Sequence, residues 1–337
     1  MMKEQINYNT KLTKIEQVAE SIITAIENGQ MKPGEKLMAI KTYSKTHGLS
    51  KDTVENAYKL LKRRKYIVAV KGRGNYVLGA EEQQIKVLLL FNKMSSYKKL
   101  IHDALLSEFG TQAKVDLVIH NYNPKTLVDA ITEHLHKYHF YVIMPHFFYY
   151  AKPEEYMKAI QLIPDHQLVL LDKDLPQLKK KCLRIFQDFK EDIYEALVSV
   201  NGLILGKYTQ IIVIFPADCH HPVEVNMGVM TYCTERGLKY ALIDDIEQES
   251  LVEGAIYIAL TEVDLGELLK KIKHSDLILG KDVGVISFND SLLKELLDIT
   301  VITTDFSAMG KTAAELMLNN KLESQRNQFG IITRGSL

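Results

Sequence analysis

The sequence predicts an α/β protein in two parts, a small winged helix-turn-helix head followed by a large body of parallel sheets. Three observations carry this reading. The first 78 residues hold three helical patterns and then two short β runs joined across a glycine-containing turn. From Ile85 onward, short apolar runs such as IKVLLLF, QLVLLD, IIVIFP and GVISFND alternate with helical stretches, among them 97–109, 125–137 and 224–236. Near-continuous apolar strands between helices are the pattern of parallel sheets covered on both faces. At 337 residues the chain is also long enough for two or three domains.

Within the head, residues 12–28 keep Ile15, Val18, Ala19, Ile22, Ile23 and Ile26 on one helical face. Asn28-Gly29 ends that helix and Pro33-Gly34 turns the chain. A second helix is expected over about 39–46, with Ile40 and Tyr43 inward and Gly48 closing it. Ser50 then caps a third, in which Val54, Ala57 and Leu61 form the buried stripe and Leu60 widens it. Lys51 and Thr53 lie outward on its first turn, and Lys62, Arg63, Arg64 and Lys65 follow at its end. The run YIVAVKGRGNYVLG reads as two strands joined by Lys71-Gly72-Arg73-Gly74, a basic hairpin tip. Residues 79–84 read as a linker, which gives a head over 1–78 and a body over 85–337.

The formal net charge of zero conceals an asymmetry. Residues 1–79 carry 15 basic against 7 acidic side chains, and the rest of the chain 27 against 35. A basic head on an acidic body points to a polyanionic partner for the head. A helix-turn-helix places the first residues of its second helix in the major groove of DNA. Short polar side chains at that tip can then reach base edges, while the basic residues behind it attract phosphate without reading sequence.

Residues 14–78 resemble the winged-helix head of the GntR family of bacterial regulators, in VAESIITAIENGQMKPGEKL, GLSKDTVENAYKLLKRRKYI and the wing KGRGNYV. The resemblance implies DNA contacts at Lys41, Ser50, Lys51, Thr53, Gly72 and Arg73. Met38-Ala39 stands where the family usually has Pro-Ser, and Glu55 where some members carry arginine. Lysine rather than arginine at 41 and 51 forgoes bidentate reading of guanine, so the operator sequence is left open.

No GxGxxG follows a strand in the body, and neither a Walker loop nor a GxSxG elbow is present. No catalytic residue and no cofactor are therefore expected. The three cysteines lack CxxC spacing and read as buried thiols. Metal binding is not expected either: His134 and His136 would point about 200° apart on a helix, and Asp218 to His221 form only a loose cluster. Open α/β sheets bind ligands beyond the carboxyl ends of their strands. Residues just past the apolar runs make the candidate set: Asn92, Tyr97, His146, Phe147, Asp172, Asp188, His220, His221, Glu262 and Asn289. Carboxylates and amides can take pairs of sugar hydroxyls, and aromatic rings cover the apolar face of a sugar.

The C-terminal stretch GKDVGVISFNDSLLKELLDITVITTDFSAMGKTAAELMLNNK, with the final IITRGSL, resembles the end of LacI-type sugar-responsive repressors. With IKVLLLF and FQDFKEDIYEALVSVNGLILG, the similarity runs over 85–337. It implies a hinged, two-lobed, periplasmic-binding-protein-like type I body with a small ligand between the lobes. Asn289 replaces the first Asp of the family's pair, and Val225 stands where the family has an effector-binding arginine. Loss of that arginine favours a neutral monosaccharide, with pentoses and deoxyhexoses such as arabinose or fucose leading. The expectation is a dimeric, cytoplasmic regulator with no membrane segment. Its partner is a double-stranded DNA operator, and it represses a carbohydrate-utilisation operon until sugar closes the lobes and respaces the heads. An activator, or a regulator with a non-sugar effector, is the alternative. A transporter's solute-binding protein and an enzyme are the rivals from other classes.

Overall fold

The computed structural model describes residues 13–79, 84–148, 150–216 and 221–337. It divides into two compact units, one running to Lys86 with 111–114 and the other holding the remaining residues.

The head is built by local rules. Its first helix, Lys14–Glu27, opens with a reciprocal cap in which Glu16 N–H donates to Thr13 Oγ1 (3.3 Å) and Thr13 N–H to the Glu16 carboxylate (2.8 Å). The second, Ile40–His47, ends at Gly48, whose φ of 65° closes the helix in the left-handed region. The third, Lys51–Arg63, is capped by Ser50, which accepts from Thr53 N–H at 3.0 Å. Val18, Ile22, Tyr43, Val54, Ala57 and Leu61 meet in one core with Ile67 and Val77 of the hairpin. Tyr58 joins them fully buried, its hydroxyl donating to Met38 O at 2.8 Å. Strands β1 (Ile67–Val70) and β2 (Gly74–Val77) pair antiparallel, Ile67 opposite Val77 and Val70 opposite Gly74.

The body holds two six-stranded sheets. The first lobe contains β3 (Ile85–Phe91), β4 (Ala113–Ile119), β5 (Phe140–Ile143), β6 (Leu168–Asp172) and β7 (Leu183–Phe186). The second contains β8 (Gln210–Ile214), β9 (Lys239–Ile243), β10 (Ala255–Ala259), β11 (Gly284–Phe288) and β12 (Thr300–Thr304). Two late strands, β13 (Ser324–Arg326) and β14 (Phe329–Ile332), complete the sheets in the orders β13-β7-β6-β5-β3-β4 and β14-β12-β11-β10-β8-β9. In the second sheet β14 runs antiparallel to β12 and breaks an otherwise parallel pattern. Alternate residues explain the apolar runs. Ile211, Val213, Ile256, Ile258 and Ile286 pack with helices Phe189–Ser199 and Glu224–Arg236, while Ile212, Ile214, Tyr257, Val285 and Val301 pack with helix Glu262–Lys273.

Among the described residues, three segments cross between the lobes. After β7 the chain passes at 187–188 into helix Phe189–Ser199, which packs on Glu224–Arg236 of the second lobe. That approach needs Gly228, where a Cβ would lie 2.3 Å from Lys190 O. After β12 it returns through Asp305 into helix Phe306–Leu318, which packs on Ser96–Phe109 of the first lobe. It crosses last at 327–328, between β13 and β14. Asn327 is buried where the three meet. Its N–H donates to Phe186 O (2.7 Å), and its amide to Thr304 Oγ1 and Asp305 O (2.8 Å each).

The terminal Arg-Gly-Ser is a structural latch. Arg334 makes two 2.9 Å bonds to the Asp290 carboxylate, and Ser336 Oγ donates to Val285 O at 2.7 Å. Asp290 of the Asn289-Asp290 pair is therefore held by arginine, which keeps its carboxyl below the ordinary range.

Asn327→Ala removes both amide bonds and leaves Asp305 O buried without that donor. It is expected to lower unfolding free energy by about 2 kcal/mol, read by urea denaturation.

Candidate functional site

The head presents the residues that sequence reasoning placed outward. Lys41 and Lys51 are exposed, and Thr53 turns its hydroxyl back to Ser50 at 2.8 Å. Gly72 takes φ 74° in the wing turn beside exposed Arg73. The basic run after the third helix is not uniformly free: Arg64 bridges to Glu20 of the first helix at 2.5 Å. Glu55 pairs with Lys59 at 2.9 Å along its own helix, and Lys59 holds its carboxyl below the ordinary value. Ala39 is the N-cap of the second helix and supplies no side-chain bond, the local consequence of losing the family's Pro-Ser.

In the body, the carboxyl ends of β3, β5 and β6 face those of β8, β10 and β11 across a cleft of about 330 Å³. Asn92, Tyr97, His146, Asp172, His221, Glu262 and Asn289 all line it. Phe147 and Asp188 line an adjoining recess instead. There Phe147 stacks on Tyr156 at 3.9 Å, and Asp188 caps helix Phe189–Ser199 through Glu191 N–H at 3.2 Å. His220 lies outside the described residues, as do Asp218 and Cys219. Among the described residues no group of three metal-ligating side chains converges. The helix expected to reach 137 stops at His134, and His136 takes φ 65° beyond it.

A buried charge organises the first wall. Asp172 sits at the end of β6 in the left-handed region, φ 73°, and is 2% exposed. One carboxylate oxygen takes the Lys98 ammonium and the His146 Nε2–H (2.6 Å), and the other takes the Gln187 amide at 2.5 Å. Burial alone would raise the Asp172 carboxyl, but the Lys98 ammonium and the His146 bond outweigh it and hold it far below the carboxylate range. Burial pushes the His146 imidazole down, so it is neutral and donates to Asp172. Behind it, burial depresses His120 to about 4, with Nε2 on Met144 O at 3.1 Å.

Tyr97 spans the gap. Its ring stacks on Phe306, centroids 5.5 Å apart, and its hydroxyl lies 3.4 Å from Glu262 of the second lobe. Burial, then the Glu262 carboxylate, pushes the phenol up to about 12. On the second wall Lys294 is 3% exposed and donates to Phe288 O (2.6 Å) and Asn289 O (2.9 Å). Burial lowers its pKa. Asn289 takes φ 61° at the end of β11, while His221 approaches the Phe288 ring edge-on at 6.1 Å.

Lys98, Lys294 and Phe306 were not among the residues expected from sequence. Lys98 and Lys294 occupy the first turns of helices that follow strand ends, the one positional signal that could have singled them out. Val225, where the family's arginine would stand, is fully buried in the second lobe's core.

Comparison with known proteins follows this division. Residues 14–77 match the profile of bacterial regulatory proteins of the gntR family. The head is a GntR-family winged helix-turn-helix. The chain is also 28% identical over 102 residues to the HTH-type transcriptional repressor YtrA of Bacillus subtilis, an alignment covering 30% of this chain and 75% of that protein. Beyond the GntR-type head, similar solved structures include a periplasmic binding protein/LacI transcriptional regulator from Alkaliphilus metalliredigens complexed with D-xylulofuranose. That likeness has a TM-score of 0.56 and 13% identity, covering 75% of this chain and 99% of that one. The trehalose repressor from Escherichia coli matches with a TM-score of 0.58 and 12% identity, covering 74% and 100%. The body thus has the periplasmic-binding-protein and LacI-type fold.

Asp172→Asn leaves Lys98 buried without its counter-charge. A loss of about 3–5 kcal/mol is expected on chemical denaturation. His120 supplies a pH test. An unfolded histidine binds a proton near pH 6.5, but the buried one does so only near pH 4. Stability therefore falls as pH drops from 6.5 to 4, by at most about 3 kcal/mol from this group. Denaturation midpoints followed across that window should flatten in part in His120→Gln, with His146 contributing the same sign.

Proposed function

We propose that the chain is a sugar-responsive transcriptional repressor: the GntR-type head holds a DNA operator and a neutral monosaccharide in the cleft releases it. One observation carries the reading. The same chain joins a GntR-type head, with Lys51 and the Arg73 wing exposed, to a cleft where aromatic and hydrogen-bonding side chains from both lobes converge. Tyr97, Phe306 and Phe288 supply ring faces or edges, and Asn92, Asp172, Lys98, Asn289 and Glu262 supply polar contacts. The cleft volume sits at the small end of ligand pockets, which run from about 300 Å³ upward. Relatives of the same fold have sugar ligands or sugar names, D-xylulofuranose and trehalose among them.

The finer assignments belong to the same proposal. A head over 1–78 and a body over 85–337 act together in a cytoplasmic homodimer on a near-palindromic operator. The effector is a pentose or deoxyhexose such as arabinose or fucose, and the chain carries out no catalysis. Coupling requires only that sugar favour the released state, typically by about 1–3 kcal/mol.

Fluorescence anisotropy on operator DNA, with and without a monosaccharide panel, tests this. At least one neutral sugar should weaken DNA binding about fivefold or more, whereas constant affinity across the panel would sink the proposal. Lys51→Ala with Arg73→Ala should weaken DNA binding at least tenfold. It should also flatten the salt dependence by about 0.9 log units for each phosphate that is no longer neutralised.

A further inference from the structure

The third helix of the head, Lys51–Arg63, buries Val54, Ala57, Tyr58 and Leu61 and turns Lys51, Asp52, Glu55 and Asn56 outward on its first two turns. A helix-turn-helix lays these turns in the major groove. Thr53 does not join them, because its hydroxyl is 2.8 Å from Ser50 Oγ and its N–H donates to the same atom. Asp52 has a local reason to be acidic: it lies in the first turn, where the helix dipole favours negative charge. Glu55 lies beyond that turn, on the exposed face. A carboxylate there meets repulsion from the phosphate backbone. Its partner is Lys59, 2.9 Å away on the same helix, which holds it ionised and offsets that repulsion. An exposed pair at this spacing stabilises a helix only weakly, so the helix itself does not require an acid at 55.

We propose that Glu55 reads one cytosine in each operator half-site, its carboxylate accepting from the N4 amino group. This rests on the reading of the head as the operator-binding part and adds which base it selects. An ionised carboxylate only accepts hydrogen bonds. In the major groove guanine offers it the acceptors N7 and O6, and thymine offers O4 beside a methyl group, so both are disfavoured. Adenine offers its N6 amino group, but with the N7 acceptor beside it. Cytosine offers N4 and no acceptor of its own at that edge. Lys51, one turn nearer the tip in the row Lys51, Glu55, Lys59, has the opposite preference, for guanine O6 and N7. Where an arginine at 55 would seek guanine, glutamate rejects it, and the operator differs accordingly from that of a head with arginine there.

Sequencing of duplexes that the full chain selects from a randomised library tests the assignment, with wild type, Glu55→Ala and Glu55→Gln run in parallel. Wild type should enrich cytosine at one position of each half-site. Guanine placed there in the selected duplex should weaken binding at least fivefold by fluorescence anisotropy. Glu55→Ala should lose the preference at that position and keep the rest of the motif. It should also bind random duplex at least as tightly as wild type, because a negative charge is gone. Glu55→Gln, whose amide pairs with adenine N6 and N7, should move the preference to adenine, a gain that damage to the helix cannot produce. A motif unchanged in both variants overturns this inference alone, as does a position lost in Glu55→Ala at which wild type selects a base other than cytosine. If wild type enriches no motif, the operator reading beneath it falls as well.

Discussion

The body depends on keeping three chain crossings in register. A two-lobed molecule made from one continuous helix-strand alternation has no covalent reason for its lobes to face one another. Here the reason is Asn327, whose backbone and amide donors hold the crossing after β7, the crossing after β12 and its own. Because the segments meet at one buried point, the carboxyl ends of both parallel sheets open onto the same space. The left-handed turn at Asp172 is linked to that point, since Gln187 on the first crossing donates to it through both its backbone and its amide.

Maintaining charge inside such a cleft is unfavourable unless every charge has a partner. Asp172 meets this with a lysine, a neutral histidine and an amide, which together use both of its oxygens. The resulting wall is polar but electrically balanced, suited to reading hydroxyl groups. Lys294 on the other wall is solvated by backbone carbonyls rather than by a carboxylate. Two lysines in one cavity thus have different partners, Lys98 a carboxylate and Lys294 a pair of backbone carbonyls.

The head was legible almost residue by residue, because caps, glycine turns and helical stripes are set by neighbours in the chain. Ser50, Gly48 and the Val54–Leu61 stripe act as their types require. The strand-end rule was nearly as productive in the body: Asn92, Tyr97, His146, Asp172, His221, Glu262 and Asn289 share one cavity. It did not separate main cleft from side recess, where Phe147 and Asp188 lie. It also passed over Lys98 and Lys294, since a lysine on a helix reads as a solvated face until something covers it.

By itself the sequence determined the elements and their class, because apolar runs that alternate with amphipathic helices are the pattern of parallel sheets covered on both sides. It determined the head's fold as well, through contacts that are local. Which residues share a wall, which lysine is neutralised, and that Arg334 is committed to Asp290 were decided only by the tertiary structure. Those pairings join residues 44 to 74 positions apart, and hydrogen bonds across such distances are set by how sheets and crossings pack.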